Sequence, residues 1–303
     1  MYPNLQAFSN RQTDKISHTL LSCSRKTMRL ASKRRKTQKA YPLPVKKIGR
    51  CRKTGKSSGS CLPDSVLNMV SPEAKKVCPP GADHCILDHA GPTLSETERK
   101  QFRMLLRPRY PNEWKNDPDA WLDNFQIDSV MKQYAADYPF FKFLGVFPMD
   151  FSAPDPYKKS HDGSQKCLSE ELCNINLKQN FQQGFRGIGA VFNLDPHFKS
   201  GSHWVGLYIN ISQIARPEIY YFDSYGMRVP RLIARLMKSF KFQNKNTRLA
   251  WNSRRFQFSD SECGMYSMYF LISMLSGVSF EKFCHNPVPD KEMYELRKIL
   301  FSY

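Results

Sequence analysis

The pattern of apolar and polar positions is clearest in the C-terminal half of the chain. Three segments rich in β-branched and aromatic residues, bounded by Gly, Pro, Asp and Ser, predict β-strands: GIGAVFNLD, HWVGLYINI and EIYYFDS. TRLAWNS predicts a fourth strand. Helices are predicted for PRLIARLMKSFKF, for the apolar run from Cys263 to Ser276, which Gly277 follows, and for DKEMYELRKILF. Strands grouped between helices indicate an α+β domain.

Two further helices are predicted upstream of these strands. In WLDNFQIDSVMKQYAADYP, which begins at Trp121, apolar residues recur at helical spacing, and Pro139 ends the pattern. The amphipathic segment TLSETERKQFRMLLRP begins with Thr93 and Glu96 at the spacing of a capping box. The polar segment between residues 155 and 169 predicts a loop.

Composition divides the chain into three parts. Residues 1–60 contain 16 Lys or Arg and a single acidic residue, Asp14, so they carry +15 of the net charge of +19. They show almost no apolar periodicity, which predicts a disordered basic tail, because such a segment cannot offset the entropy of folding. Residues 61–116 are interpreted as an N-terminal accessory segment with one helix, and residues 117–303 as the main domain.

The charge of the tail suggests partners. Its densest run, Lys33 to Lys36 (KRRK), would attract nucleic acid, an anionic surface or an import receptor. The alternative is a solvated linker that keeps the protein in solution. No segment approaches the ~18 apolar residues of a membrane span, and the N-terminus lacks the apolar core of a signal peptide. We expect a soluble protein that is not secreted by that route.

The nine cysteines have no spacing typical of a disulfide framework, and their number is odd. This predicts reduced thiols in a cytosol-like compartment. Cys78, His84, Cys85 and His89 include metal-binding residue types, but the close cysteine pair of structural zinc sites is missing, so packing is the better interpretation. The segment GRCRKTGKS has the wrong glycine spacing for a phosphate-binding loop. We therefore expect no metal and no cofactor.

Cys263 is the strongest candidate for a reactive group. It lies at the start of a predicted helix, where free backbone N–H groups and the helix dipole favour a thiolate. Gly264 would let a substrate backbone pass close by. Taken alone, this context is ambiguous, because apolar helices often contain buried cysteines.

Three other residues strengthen the case for Cys263. If HWVGLYINI and EIYYFDS form a hairpin, residue 203 lies opposite about 226 and residue 223 opposite about 206, so His203 and Asp223 meet at one end. A carboxylate there would orient the imidazole and stabilise an imidazolium beside a thiolate. Gln257, six residues before Cys263, could donate its amide N–H to an oxyanion.

The order His, Asp, Gln, Cys resembles the Ulp1 and adenain class of cysteine proteases, and most of all the African swine fever virus type of polyprotein-processing protease. The matching stretches are NFQIDSVMKQYAADYPFF, MDF, SHWVGLYI, IYYFDSYG, SECGMYSMYFL and DKEMYELRKILF. The resemblance covers about residues 117 to 303. It implies a papain-like fold of this class, with a central, mostly antiparallel sheet packed by helices.

The resemblance also implies roles for individual residues. Cys263 would be the nucleophile, His203 the general base, Asp223 its orienting partner and Gln257 the oxyanion donor. Trp204 would cover the catalytic pair and help to form a narrow substrate channel. Trp121 would line the same channel, with core packing as the alternative.

The function expected from these features is a thiol endopeptidase of a large DNA virus. It would cleave virion structural precursors at Gly-Gly-Xaa-type sites, inside virions or at assembly sites in the host cytoplasm, and the tail would contact nucleic acid. Three alternatives remain open. The same chemistry could remove SUMO or ubiquitin from host proteins, the same residue order could serve acyl transfer, or the chain could be a non-catalytic, nucleic-acid-binding virion protein.

Overall fold

The computed structural model describes residues 21–23, 43–45, 48–52, 59–79, 81–90, 93–159, 161 and 163–302. Most of the predicted basic tail, including KRRK, lies outside these residues, as do residues 53–58 of the segment GRCRKTGKS. Within the described part of the chain, no helix is both long enough and apolar enough to cross a bilayer.

The described residues form eight strands and eleven α-helices. The strands are β1 (Leu21–Cys23), β2 (Phe141–Phe147), β3 (Pro154–Lys159), β4 (Gln165–Cys167), β5 (Gly187–Asn193), β6 (Trp204–Asn210), β7 (Glu218–Phe222) and β8 (Arg248–Asn252). The helices are α1 (Asp64–Met69), α2 (Pro72–Val77), α3 (Asp83–Ala90), α4 (Glu96–Arg103), α5 (Asn124–Asp137), α6 (Glu170–Cys173), α7 (Leu177–Gln182), α8 (Arg231–Gln243), α9 (Cys263–Leu275), α10 (Phe280–His285) and α11 (Asp290–Leu300).

The predicted α+β fold is confirmed, and its main sheet is mixed. The strand order is β1-β8-β7-β6-β5-β2. Within this sheet, antiparallel pairing is confined to the β5-β6-β7 meander, while β2 pairs with β5, and β8 with β7 and β1, in parallel. The expected antiparallel majority is therefore wrong for the flanks. Short loops connect the meander, whereas helices intervene between β2 and β5 and between β7 and β8, and such crossovers permit parallel pairing.

The two faces of the sheet support two apolar clusters. Along β6, Trp204 and Tyr208 face α5 and α9, and Val205 and Leu207 face α8. Every residue of α9 is buried. Gly206 permits this close packing, because a Cβ at that position would lie 2.7 Å from the Phe270 ring. The helix that begins at Cys263 is thus fixed against the centre of the sheet.

The accessory segment contains more structure than the sequence indicated. Between residues 61 and 116 there are four α-helices and a 3-10 turn at Asn112–Lys115, where one helix was predicted. The capping box is formed by Ser95 and Glu98 instead of Thr93 and Glu96. The Thr93 hydroxyl donates to the Ala90 carbonyl at the end of the preceding helix and is therefore committed elsewhere.

Part of the predicted tail packs on the main domain. Val45 and Ile48 are buried in the cluster that includes α9. The Leu43 carbonyl accepts a 2.7 Å hydrogen bond from the Tyr269 hydroxyl, and Arg52 pairs with Asp137 at 2.9 Å. The boundary at residue 60 is therefore wrong for these residues. A few apolar side chains in a basic stretch are enough to anchor it, although they form no periodic pattern.

The prediction of reduced thiols is wrong for six cysteines, whereas Cys263 and Cys284 form no disulfide. Among the described cysteines, three disulfides join Cys51 to Cys61, Cys78 to Cys85 and Cys167 to Cys173. The folded chain brings the Cα atoms of each pair within 5.2 to 6.6 Å. The spacing of the cysteines in the sequence does not reveal this proximity. The cysteines therefore do not indicate a cytosol-like compartment.

Several elements between α5 and β5 escaped the sequence analysis. The strand β2 extends the main sheet, and β3 and β4 form a small hairpin within the segment predicted as a loop. β3 has the sequence PDPYKK, with two prolines and a buried aspartate, so this hairpin lacks the apolar alternation by which a strand is recognised.

Candidate active site

His203 and Asp223 meet at one end of the hairpin formed by β6 and β7. Gly206 pairs with Phe222, so the same register continued by one residue sets Asp223 opposite position 205. The predicted register was one residue off. His203 Nε2 donates a 2.9 Å hydrogen bond to Asp223 Oδ1, and both side chains are buried. Because a carboxylate can only accept, the proton lies on Nε2, and Nδ1 is left for Cys263.

The environment of His203 favours the imidazolium. Burial alone lowers the pKa of His203, but hydrogen bonds to Asp223 and Cys263 and the charges of both groups raise that pKa to about 9. The protonated ring is therefore stabilised between a carboxylate and a sulfur. This is the arrangement that an imidazolium–thiolate pair requires.

The backbone around Asp223 is held by Asn252 at the end of β8. The Asn252 side chain accepts from the Asp223 N–H at 2.9 Å and donates to the Asp223 carbonyl at 2.6 Å. Asp223 Oδ1 also accepts from the Tyr225 N–H at 2.8 Å. The Tyr225 ring stacks on the imidazole of His203, with centroids 4.7 Å apart. The carboxylate and the imidazole are thus positioned from several directions.

Cys263 is the first residue of α9, as the sequence predicted. It is buried and takes part in no disulfide. The structure gives Gly264 a different role from the expected contact with a substrate backbone, however. A Cβ at Gly264 would lie 3.0 Å from Leu122 and 3.3 Å from Ile127. The glycine therefore lets the start of α5 pack closely against residues 262–264, which we call the nucleophile turn. Its absent side chain serves packing inside the protein.

Gln257 is fully buried, and its amide is fixed at both ends. Its Oε1 accepts from the Ser224 hydroxyl at 2.7 Å, and its Nε2 donates to the Ser259 carbonyl at 2.8 Å. One N–H of the amide group remains for another acceptor. The loop that contains Gln257 is held by Asp290 at the start of α11, whose carboxylate accepts from the backbone N–H groups of Phe258 and Ser259.

A buried ion pair holds the residue just before Cys263. Glu262 and Arg297 pair at 2.7 Å and 3.0 Å, and their side chains are 0% and 3% exposed. Arg297 also donates to the carbonyls of Pro118 and Ala120, and its guanidinium lies 4.2 Å from the centre of the Trp114 ring. One arginine therefore ties the nucleophile turn to the chain segment that precedes α5.

The two tryptophans predicted to contact substrate differ in exposure. Trp204 is 8% exposed, and its indole N–H donates to the Leu122 carbonyl at 2.9 Å. Trp121, the neighbour of Leu122, is 50% exposed. Trp204 therefore supports the segment that carries Trp121, and only Trp121 presents a large surface to a ligand.

The cysteines and histidines of the accessory segment are arranged differently from a metal site. Cys78, Cys85 and His89 place ligand atoms within 4.8 Å of one another, but the two sulfurs form a disulfide and are not thiolate donors in this state. His84 is held by the Arg107 carbonyl at 2.8 Å instead.

Comparison with known proteins decides the family. Residues 190–302 match the model of the Ulp1 protease family, C-terminal catalytic domain. This stretch includes all four residues predicted to perform the chemistry. The chain contains a Ulp1-family protease domain. Over more of its length the chain is similar to thiol proteases of viruses, which the following relatives illustrate.

A thiol protease of Acanthamoeba polyphaga mimivirus is 29% identical to this chain over 234 residues, which are 75% of this chain and 70% of the mimivirus protein. A protein of African swine fever virus named SUMO-1 cysteine protease is 26% identical over 250 residues, 80% of this chain and 91% of its own. A crystal structure of the African swine fever virus protease shares the fold, with a TM-score of 0.62 and 21% identity over 83% of this chain and 94% of that one.

The Ulp1-family domain contains positioning residues that sequence reasoning missed. They are Asn252, Tyr225, Glu262, Asp290 and Arg297. Glu262 is acidic but fully buried, and Arg297 pairs with its carboxylate. Two of these five residues could have been found from the sequence, because Glu262 is next to Cys263 and Tyr225 is two residues after Asp223. The others act from distant parts of the chain.

The charge of His203 leads to the first prediction. Because the pKa of about 9 in the folded state exceeds the ordinary 6.5, protonation of His203 stabilises the fold fully below about pH 6.5. This contribution is lost as the pH rises through about 9. NMR titration of the imidazole should show a midpoint near pH 9 in the wild type and a lower one in Asp223→Asn. A wild-type midpoint near 6.5 would contradict the prediction. The resonance is assigned with His203→Gln.

The second prediction concerns Arg297. Arg297→Met leaves the Glu262 carboxylate buried without its partner and should lower the free energy of unfolding by about 3–5 kcal/mol in urea. Adding Glu262→Gln removes that charge and should restore part of the loss. Arg248→Met, which breaks the exposed pair with Glu218, is the control and should cost less than about 1 kcal/mol. The prediction fails if the double variant is no more stable than Arg297→Met.

Proposed function

We propose that this chain is an endopeptidase of a large DNA virus that cleaves virion structural precursor proteins during particle maturation. The observation that carries the proposal is the hydrogen-bonded pair of His203 and Asp223 beside Cys263 at the start of a buried helix. Similarity to proteases of two large DNA viruses supports the viral setting.

The geometry supports a two-stage acyl transfer. The proton of the Cys263 thiol moves to His203 Nδ1, and the thiolate attacks the carbonyl carbon of the scissile bond. The imidazolium then gives its proton to the leaving amine as the C–N bond breaks, which leaves a thioester. Water, deprotonated by His203, hydrolyses the thioester and regenerates the thiol. Asp223 keeps the Nε2 proton in place and stabilises the charged ring.

Gln257 would stabilise the tetrahedral intermediates. Its amide is held by Ser224 and Ser259, so the remaining N–H can point at an oxyanion without first being ordered. The backbone N–H of Cys263 lies in the first turn of α9, where it has no partner within the helix, and it would be the second donor.

We propose that the substrate has small residues at the scissile bond. Trp121, half exposed on a segment held by Trp204 and Arg297, would narrow the approach to Cys263. Glycines fit beside such a wall better than branched residues. Sites of the Gly-Gly-Xaa type agree with this restriction.

A second candidate is removal of SUMO-like proteins from host conjugates. The African swine fever virus relative bears the name SUMO-1 cysteine protease, and this observation favours the alternative. Both candidates use the same four residues. They differ in the protein that presents the scissile bond, which in a conjugate is an isopeptide bond to a lysine side chain.

Location and nucleic-acid contact are parts of the proposal. A protease for virion precursors would act in virions or at assembly sites in the host cytoplasm. The ten Lys and Arg residues among the first 42, which include the run Lys33 to Lys36, would hold it beside packaged nucleic acid by neutralising phosphates. The tail would thereby raise the local concentration of enzyme where its substrates assemble.

The third prediction tests the proposed activity. Wild-type protein added to purified virion precursors should create new N-termini that follow Gly-Gly or Gly-Xaa, whereas Cys263→Ala should create none. Mass spectrometry of N-terminal peptides provides the measurement. A matched incubation with SUMO and ubiquitin conjugates tests the alternative, because release of SUMO without cleavage of precursors would favour it. If the wild type and Cys263→Ala give identical N-termini in both incubations, neither activity is present. Cys284→Ala, which leaves the proposed site intact, is the control.

The fourth prediction concerns the tail. If it binds nucleic acid, adding DNA should increase cleavage at low salt and less so as salt rises. Replacing Lys33, Arg34, Arg35 and Lys36 with Ala should reduce the slope of log affinity against log salt by about three to four, since each phosphate contact contributes about 0.9. Replacing Arg235 and Lys238 on α8 is the control. An unchanged slope in the tail variant would exclude these four residues as phosphate contacts.

A further inference from the structure

Arg255 lies on the surface of the loop that leads to Cys263, and its side chain is held in one orientation. The guanidinium carbon is 5.1 Å from the centre of the Tyr225 ring and 4.9 Å from that of Phe258. Its Nε donates a 2.6 Å hydrogen bond to the Gln257 carbonyl. Two aromatic rings and one hydrogen bond therefore order the side chain of an exposed arginine, which ordinarily samples many rotamers.

The outer part of this guanidinium has no partner. Among the described residues, neither Nη1 nor Nη2 of Arg255 makes a hydrogen bond or an ion pair. Asp260, an exposed acid on the same loop, affects the Tyr225 hydroxyl electrostatically but forms no ion pair with Arg255 in the described part of the chain. A planar fork with free N–H groups fits a carboxylate in bidentate fashion.

The position of Arg255 relates it to the chemistry. The Tyr225 ring that contacts the guanidinium also stacks on His203, at 4.7 Å. The two separations, 4.7 Å and 5.1 Å, set an upper limit of about 10 Å between imidazole and guanidinium, a distance spanned by about three extended residues. Phe258, which also contacts the guanidinium, is 71% exposed. A peptide bound at Cys263 could therefore reach Arg255 with a nearby side chain.

We propose that Arg255, ordered between Tyr225 and Phe258, binds an aspartate or glutamate side chain of the substrate within about three residues of the scissile bond. The inference rests on the proposed peptidase function and adds a requirement to it: besides small residues at the cleaved bond, the substrate carries an acid nearby. The exposed ring of Phe258 would contact the methylene groups of that acid.

A peptide series tests this subsite. The parent peptide has Gly-Gly-Ala at the cleavage site and neutral residues elsewhere, and each derivative carries Asp, Glu, Asn or Gln at one position, up to three residues away on either side. At one position at least, wild-type protein should have a kcat/KM about tenfold or more higher for the acid than for the matching amide, mainly through KM. The preference should shrink as salt rises.

Variants assign the preference to Arg255. Arg255→Gln should remove the difference between acid and amide, and Arg255→Lys should keep part of it because an ammonium retains the charge without the fork. Arg235→Gln, an exposed arginine of α8, should retain it in full. The inference is overturned if the acid-to-amide ratio is the same in the wild type and in Arg255→Gln while both cleave the parent peptide. Failure of the wild type to cleave any peptide of the series would instead reject the peptidase, and the subsite with it.

Discussion

The ion pair between Glu262 and Arg297 is the constraint on which the candidate site depends most. A buried ion pair is costly unless its remaining hydrogen bonds are satisfied, and here carbonyl oxygens from two separate segments satisfy them. The arginine can meet these demands only when α11, the nucleophile turn and the residues before α5 are all in place. The position of Cys263 is therefore coupled to contacts made by two distant parts of the chain, α11 and the segment before α5.

The main sheet positions two other members of the candidate site, His203 and Asp223. The β6–β7 hairpin fixes His203 and Asp223 by backbone register, and Asn252 on the neighbouring β8 holds the backbone of Asp223. Cys263 begins α9, which packs across the same strands. Because the base and the nucleophile lie on different elements, their contact depends on how closely α9 packs, and Gly206 permits that approach. A raised pKa of His203 follows from this contact and from Asp223.

The sequence was sufficient where the signal is local. Strands with β-branched and aromatic residues, the start of α9 at Cys263 and the meeting of His203 with Asp223 could all be predicted from adjacent positions. The register was one residue off because composition does not fix where β6 ends and β7 begins, and hence where the seven-residue loop between them is centred. Arg297 and Asp290 could not be predicted, since nothing near them in the sequence indicates a partner more than 30 residues away. The disulfides were missed for a different reason: their partners are 6 to 10 residues apart, but the spacing follows no known framework and the pairing depends on local loops and short helices.

The extent of the functional unit follows from these long-range contacts. The family match begins at residue 190, yet the segment before α5 accepts hydrogen bonds from Arg297 and, at Leu122, from Trp204. Trp114 of the accessory segment covers the guanidinium of Arg297. A chain that began at residue 190 would leave this guanidinium with unsatisfied donors and uncover the side of α9 on which Leu122 packs. The accessory segment and α5 are therefore part of the structure that positions the nucleophile, and variation there can alter activity without touching the catalytic groups.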